Sequence, residues 1–226
     1  MCFSATASFT SGVVLTIVGI ASMRKASISS GLAFAGVPFI FAVQQFSEGF
    51  VWLSLNNPAF AGWETISTKT FLIFAHIVWP IWIPFSILLL EKNYKKKNIL
   101  YLLLGCGVVL SFSYAWCLAV YPVVAKIDGH HIAYILNYPA VLFTLTTIFY
   151  GLATILPAFI SSADRMKLLG IAITVSYIFT SLFYQEYITS VWCYFAALLS
   201  IIIYWILYGL EQLSLNIVRV KIKDPI

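Results

Sequence analysis

Glu48 stands inside a long apolar run, residues 31–55, with Gln44 four positions before it and Trp52 four after. About 20 consecutive apolar residues make a helix long enough to cross a bilayer. In such a helix residues four apart share a face, so Gln44, Glu48 and Trp52 point the same way. A carboxylate inside the hydrocarbon costs at least ~2.5–3.5 kcal/mol on insertion scales, and such groups turn inward towards partners. Any fold open to this chain must therefore wrap other segments around Glu48.

The composition supplies those segments. Of 226 residues, 62% are hydrophobic and 9% charged, where soluble domains carry about 25% charged residues. Seven apolar segments follow one another at approximately 3–23, 31–55, 71–90, 99–121, 138–160, 168–184 and 190–210. The expected fold is all-α: a seven-transmembrane helical bundle forming a single integral membrane domain over residues 1–226. No cleavable signal peptide is expected, because Met1-Cys2-Phe3-Ser4 lacks a basic opening.

Charge then sets the orientation. Arg24-Lys25, Lys92 with Lys95-Lys96-Lys97, Arg165 with Lys167, and Arg219, Lys221 and Lys223 fall on alternate connections; the others hold only Lys69 and Lys126. The positive-inside rule puts the N-terminus outside and the C-terminus in the cytoplasm. The net charge of +5 is spent at helix ends, with no aromatic-interleaved basic patch, so no nucleic-acid partner is expected. Oligomeric state is left open.

This orientation collects the chemistry-bearing residues in the outer leaflet. Cys2, Glu48, His76, Cys117, the 125–135 loop with Asp128, His130 and His131, Tyr184, Glu186 and the Trp192-Cys193 pair all lie there. Glu48 and His76 are the only Glu, Asp or His inside apolar runs, and they occupy adjacent helices. They could form an acid–base pair, two ligands of a metal, or a buried hydrogen bond that fixes one helix against the next. Cys2 could ligate a metal, act as a nucleophile, pair with Cys193 or Cys117, or simply pack. Asp128, His130 and His131 offer three possible ligands in four positions, but adjacent histidines on a turn tend to point apart, so the plainer reading is a solvated loop. Pro80 and Pro84 follow His76 at helical spacing and free carbonyls for neighbours. Trp79 and Trp82 read as interfacial anchors. The cysteines lack CxxC spacing, which excludes a zinc ribbon or thioredoxin motif.

Met1-Cys2-Phe3-Ser4-Ala5 resembles the opening of a bacterial multi-span family with no assigned activity. Gln44, Gln45, Glu48, Val51 and Trp52 match its [HQ]QxxExxVW motif, and Trp192, Cys193, Ala196, Ala197 and Ser200 match its last-helix motif. The resemblance implies a bacterial cytoplasmic (inner) membrane location. Where relatives carry histidine at the first motif position, this chain has Gln44. Retinal pumps are excluded, because the seventh segment lacks a lysine. Membrane hydrolases of the alkaline ceramidase type share only architecture, since their paired histidines are missing here.

Three functional readings follow. The leading one is an outward-facing pocket of Cys2, Gln44, Glu48, Trp52, His76, Tyr184, Trp192 and Cys193. There Cys2, Glu48, His76 and Cys193 hold zinc or another transition metal, and Glu48 and His76 assist hydrolysis of a lipid or small amphiphile. The second is a proton- or cation-coupled transporter or sensor using Glu48. The third is a structural cluster with a Cys2–Cys193 disulfide.

Overall fold

The computed structural model describes residues 4–26 and 29–223; side chains at 29, 140–145, 193, 194, 196–198 and 213–223 lie outside the described set. Each apolar segment of the sequence is helical: α1 (Ala5–Lys25), α2 (Leu32–Ala35) running on past Gly36 into α3 (Val37–Asn56), α4 (Glu64–Leu72), α5 (Trp79–Leu90), α6 (Tyr94–Val120), α7 (Ala140–Ile160), α8 (Met166–Phe183) and α9 (Ile188–Lys223). A 3₁₀ turn, Pro58–Trp63, leads into α4, and a π-helical stretch, Ile73–Val78, joins α4 to α5. Short polar residues set several helix starts. Ser4 accepts from Ala7 N–H ahead of α1, and Asn93 accepts from Lys95 and Lys96 N–H ahead of α6.

Among the described residues, four helical stretches are long and apolar enough to cross a membrane: Ala5–Lys25, Pro58–Leu90, Tyr94–Val120 and Met166–Phe183. Their outward faces are apolar; Ile17, Val109, Phe112, Ile171 and Leu182 are all exposed. A surface of that kind is stable against lipid tails and not against water. With lipid as solvent, close packing rather than water exclusion holds helices together. Glycine allows that packing here. A Cβ at Gly12 would lie 2.8 Å from the Phe46 ring, and one at Gly19 2.9 Å from the Phe39 ring, so α1 lies flat on α3. A Cβ at Gly107 of α6 would sit on the carbonyl oxygen of Pro80, which locks α6 against the start of α5.

One end of the bundle is basic and tied together. Lys25 pairs with Glu211 at 3.1 Å. Arg165 donates to the Trp205 carbonyl at 2.9 Å and lies 4.0 Å above that indole. Glu91 is 2% exposed and accepts from the backbone N–H groups of Lys92 (2.9 Å), Asn93 (2.8 Å) and Ser162 (2.6 Å). It thereby pins the α5–α6 connection to the α7–α8 connection. Burial pushes its carboxyl up, but the three N–H groups outweigh that and hold it below its ordinary value.

The opposite end differs from expectation. The 125–135 stretch is not an open loop but part of an antiparallel hairpin, β1 (Val123–Asp128) and β2 (His131–Leu136), in register Ala125 to Tyr134 and Ile127 to Ile132. Gly129 takes the positive φ of 58° that its turn requires. The hairpin's inward residues Ala125 and Ile132 bury against Val51 and Trp52 of α3, so it caps the bundle.

Candidate functional site

Beneath that cap α3 delivers Gln44, Gln45 and Glu48, which are 0%, 1% and 0% exposed. Ser190, at the start of α9, donates its hydroxyl to Glu48 Oε1 at 2.5 Å. The Gln45 amide nitrogen lies 3.5 Å from the other carboxylate oxygen. The next residue, Gly49, receives the Phe9 ring of α1. The acid is thus enclosed as the helix-burial argument requires, and its short bond to Ser190 ties α3 to α9.

His76 lies in the π-helical stretch, where each backbone hydrogen bond spans one residue more than in an α-helix and the turn is wider. Pro80 supplies no N–H to the turn before it, and neighbouring helices take up the carbonyls. Tyr150 of α7 donates to Ala75 O at 2.7 Å, and Ser111 of α6 donates to Ile77 O at 2.8 Å. The widened turn holds the imidazole flat on Tyr114, with centroids 4.7 Å apart. Trp79, expected at the interface, is buried: it stacks on Phe41 at 3.9 Å and donates to Gln44 Oε1 at 2.8 Å. A buried indole N–H needs an acceptor, and Gln44 provides it.

These pieces line an elongated cavity of about 160 Å³ in the bundle interior. Its lining on α9 runs from Ile188 to Ile203, about 22 Å by helical rise. Towards the basic end the wall is mostly hydrocarbon, with Phe34, Ile87, Leu169 and Ile203, and its Thr154 hydroxyl donates back to the Tyr150 carbonyl at 2.7 Å. Midway and towards the cap it gains oxygen and nitrogen from Gln44, His76, Tyr114, Thr147, Tyr177 and Thr189. No lysine or arginine is among the described lining residues. The family's sequence model matches residues 1–212, nearly the full chain. The chain belongs to DUF6629, a family of unknown function. No curated protein and no solved structure matches the chain.

In this DUF6629 protein the expected site residues divide. Gln44, His76 and Trp192 line the cavity. Glu48 is not among the lining residues; it lies one helical turn beyond Gln44, fastened to Ser190. Trp52 belongs to the apolar layer under the hairpin, and Tyr184 meets the edge of His131 at 5.3 Å; neither lines the cavity. Cys117 is a free, buried thiol near the cap end of α6. Cys2 and the Cys193 side chain lie outside the described residues, and among the described residues no three His, Cys, Asp or Glu side chains gather as metal ligands. The zinc expectation therefore rests on the two sulfurs.

The hairpin histidines do not form a ligand set. His131 stacks on Tyr187 with centroids 4.7 Å apart, and Tyr187 donates its hydroxyl to Asp128 Oδ2 at 2.6 Å. Burial pushes the His131 imidazole below its ordinary value, and the hydrogen bond to Asp128 pushes the Tyr187 phenol up to about 12. Sequence reasoning missed Ser190 and Thr189, because serine and threonine are ordinary in apolar helices. It also passed over Glu91, although Asn93 two residues on signals a helix start.

Proposed function

We propose that this chain is a seven-span protein of a bacterial cytoplasmic membrane, N-terminus outside, that holds one small amphiphile in its interior cavity. Gathering of Lys25, Arg165 and Glu91 at one end supports the orientation, since the basic ends belong to the cytoplasmic face. The carrying observation is the graded wall of the cavity: mostly hydrocarbon below, amide, imidazole and hydroxyl groups above. A pocket of that kind buries a tail and orients a head. With hydroxyls, an amide and an imidazole in place of cations, it favours an uncharged oxygen head, such as an alcohol, over a phosphodiester. An apolar cavity of ~150 Å³ accommodates benzene, so a linear tail of about six to ten carbons is the matching size.

Trp79 and Trp192 line the cavity and report on occupancy. Titrating ω-bromooctanol into the reconstituted protein gives saturable quenching of tryptophan fluorescence. Filling the cavity with Leu169→Phe and Ile173→Phe weakens that saturation at least about tenfold, or ~1.4 kcal/mol. Quenching that rises linearly with probe, alike in both proteins, defeats the reading. Hydrolysis at zinc is a further proposal that needs an amphiphile with an ester or amide bond in its head, cleaved to an acid and an alcohol or amine, and needs Cys2 and Cys193 to join Glu48 and His76. Elemental analysis decides it: a preparation that stays metal-free after zinc addition ends it. An ion-carrier role for Glu48 draws less support, because the cavity's lower half is mostly hydrocarbon, with Thr154 the hydroxyl among its described lining.

A further inference from the structure

A second concavity lies on the outer face between α8 and α9, lined by Ala172, Val175, Ser176, Phe179, Phe195, Leu199 and Ile202. Helical spacing explains why α8 serves both spaces. Leu169, Ile173 and Tyr177 fall on the face that lines the interior cavity, while Ala172, Val175, Ser176 and Phe179 fall on the face that lines the groove. On α9, Leu199 lines both. Trp192 belongs to the cavity wall and Ser176 to the groove wall, and the indole N–H donates to the Ser176 hydroxyl at 3.1 Å. The ring is held further by Tyr177, edge-on at 5.3 Å, and by Tyr150 at 5.9 Å.

α8 is one of the helices apolar enough to cross the membrane, and its outward residues Val175 and Phe179 are exposed. Lipid tails are therefore what this groove meets. We propose that the cavity is entered sideways from the bilayer, between α8 and α9, and that Trp192 hydrogen-bonded to Ser176 is the gate. This rests on the amphiphile reading and sharpens it: the ligand is a bilayer-resident chain with an uncharged head, taken from the membrane rather than from water. One side-chain hydrogen bond is a light bolt. Its loss shifts a two-state gate without disturbing the helices that carry it.

The test separates rate from occupancy. The protein is reconstituted in vesicles and mixed rapidly with vesicles preloaded with ω-bromooctanol, and tryptophan quenching is followed in time. Groove-blocking Ala172→Phe with Val175→Phe slows quenching at least about tenfold, while the final amplitude and the half-saturating probe concentration stay as in the parent. Ser176→Ala, which removes the bolt and leaves the cavity wall intact, speeds it by about two- to tenfold. It also serves where the bulky variant does not fold. Unchanged rates in both variants, with saturable quenching preserved, overturn the side entry and leave the cavity reading standing. Quenching that never saturates in the parent protein overturns the cavity reading, and the gate with it.

Discussion

Glu48 and Glu91 are both buried, 0% and 2% exposed, yet they sit in opposite halves of the bundle and are held by different kinds of partner. Glu91 receives three backbone N–H groups from two connections at the basic end. Backbone donors are fixed by the fold and cannot rotate away, so this carboxylate acts as a staple between loops. Glu48 receives a serine hydroxyl and faces a glutamine amide, both on side chains that can turn. It ties α3 to α9 at the height where Gln44 and Thr189 enter the cavity wall. One acid is spent on holding the fold; the other holds the frame of a site.

The largest effect should come from Glu91. Glu91→Ala leaves three N–H groups without their acceptor, and hydrogen bonds to a charged group contribute about 1.5–3 kcal/mol each. A loss of about 4 kcal/mol or more is expected in thermal unfolding of the detergent-solubilised protein. A change confined to a few tenths would erase the contrast. The same carboxyl titrates in the folded state below its ordinary value of 4.5. Its stabilising contribution is thus complete above that value and fades as pH falls through the lower, folded one. The parent's melting temperature should drop across that acid range, while the drop is smaller in Glu91→Gln.

Next in size is Gly107→Ala. Its methyl group would press on the Pro80 carbonyl, so α6 and α5 must part, at a cost of about 2–3 kcal/mol. Because Pro80 follows the turn that carries His76, half-saturation by ω-bromooctanol should also rise. Retained stability with unchanged binding would show that the close approach does not position the imidazole.

Glu48→Gln is expected to be milder than Glu91→Ala, at about 1 kcal/mol in the same melt, because the amide oxygen still accepts from Ser190. A collapse as large as that of Glu91→Ala would make the two acids equivalent. The smallest stability effect is expected from His76→Phe, which keeps the ring on Tyr114. It should leave the melt within about 0.5 kcal/mol and weaken probe binding by about two- to tenfold, the worth of one lost hydrogen bond. Equal binding would remove His76 from the head-binding end.

Much of the scaffold could be read from the residues, because a long apolar run bounded by lysine, arginine or asparagine has few alternatives to a helix. The break at Gly36 and the π-helical turn could not. Each depends on tertiary partners, and the carbonyls at Ala75 and Ile77 are satisfied by Tyr150 and Ser111 from other helices. The hairpin was within reach: Val123 to Asp128 and His131 to Leu136 flank a glycine turn with strand-like β-branched residues. Its aromatic and polar content made it look like an outer loop instead. In the site, Gln44, Glu48, His76 and Trp192 stood out because polar groups are rare in oil. Ser190, Thr189 and Tyr150 did not, since their meaning lies in what they face.

The claim beneath all of this is that the interior cavity is a seat for a tail and a head. An anomalous-diffraction map of crystals grown with ω-bromooctanol tests it directly. A bromine peak among Phe34, Ile87, Leu169 and Ile203, with the alcohol end near His76 and Gln44, is the predicted result. Bromine found only along the outer, lipid-facing helix surfaces, with the interior empty, would contradict it.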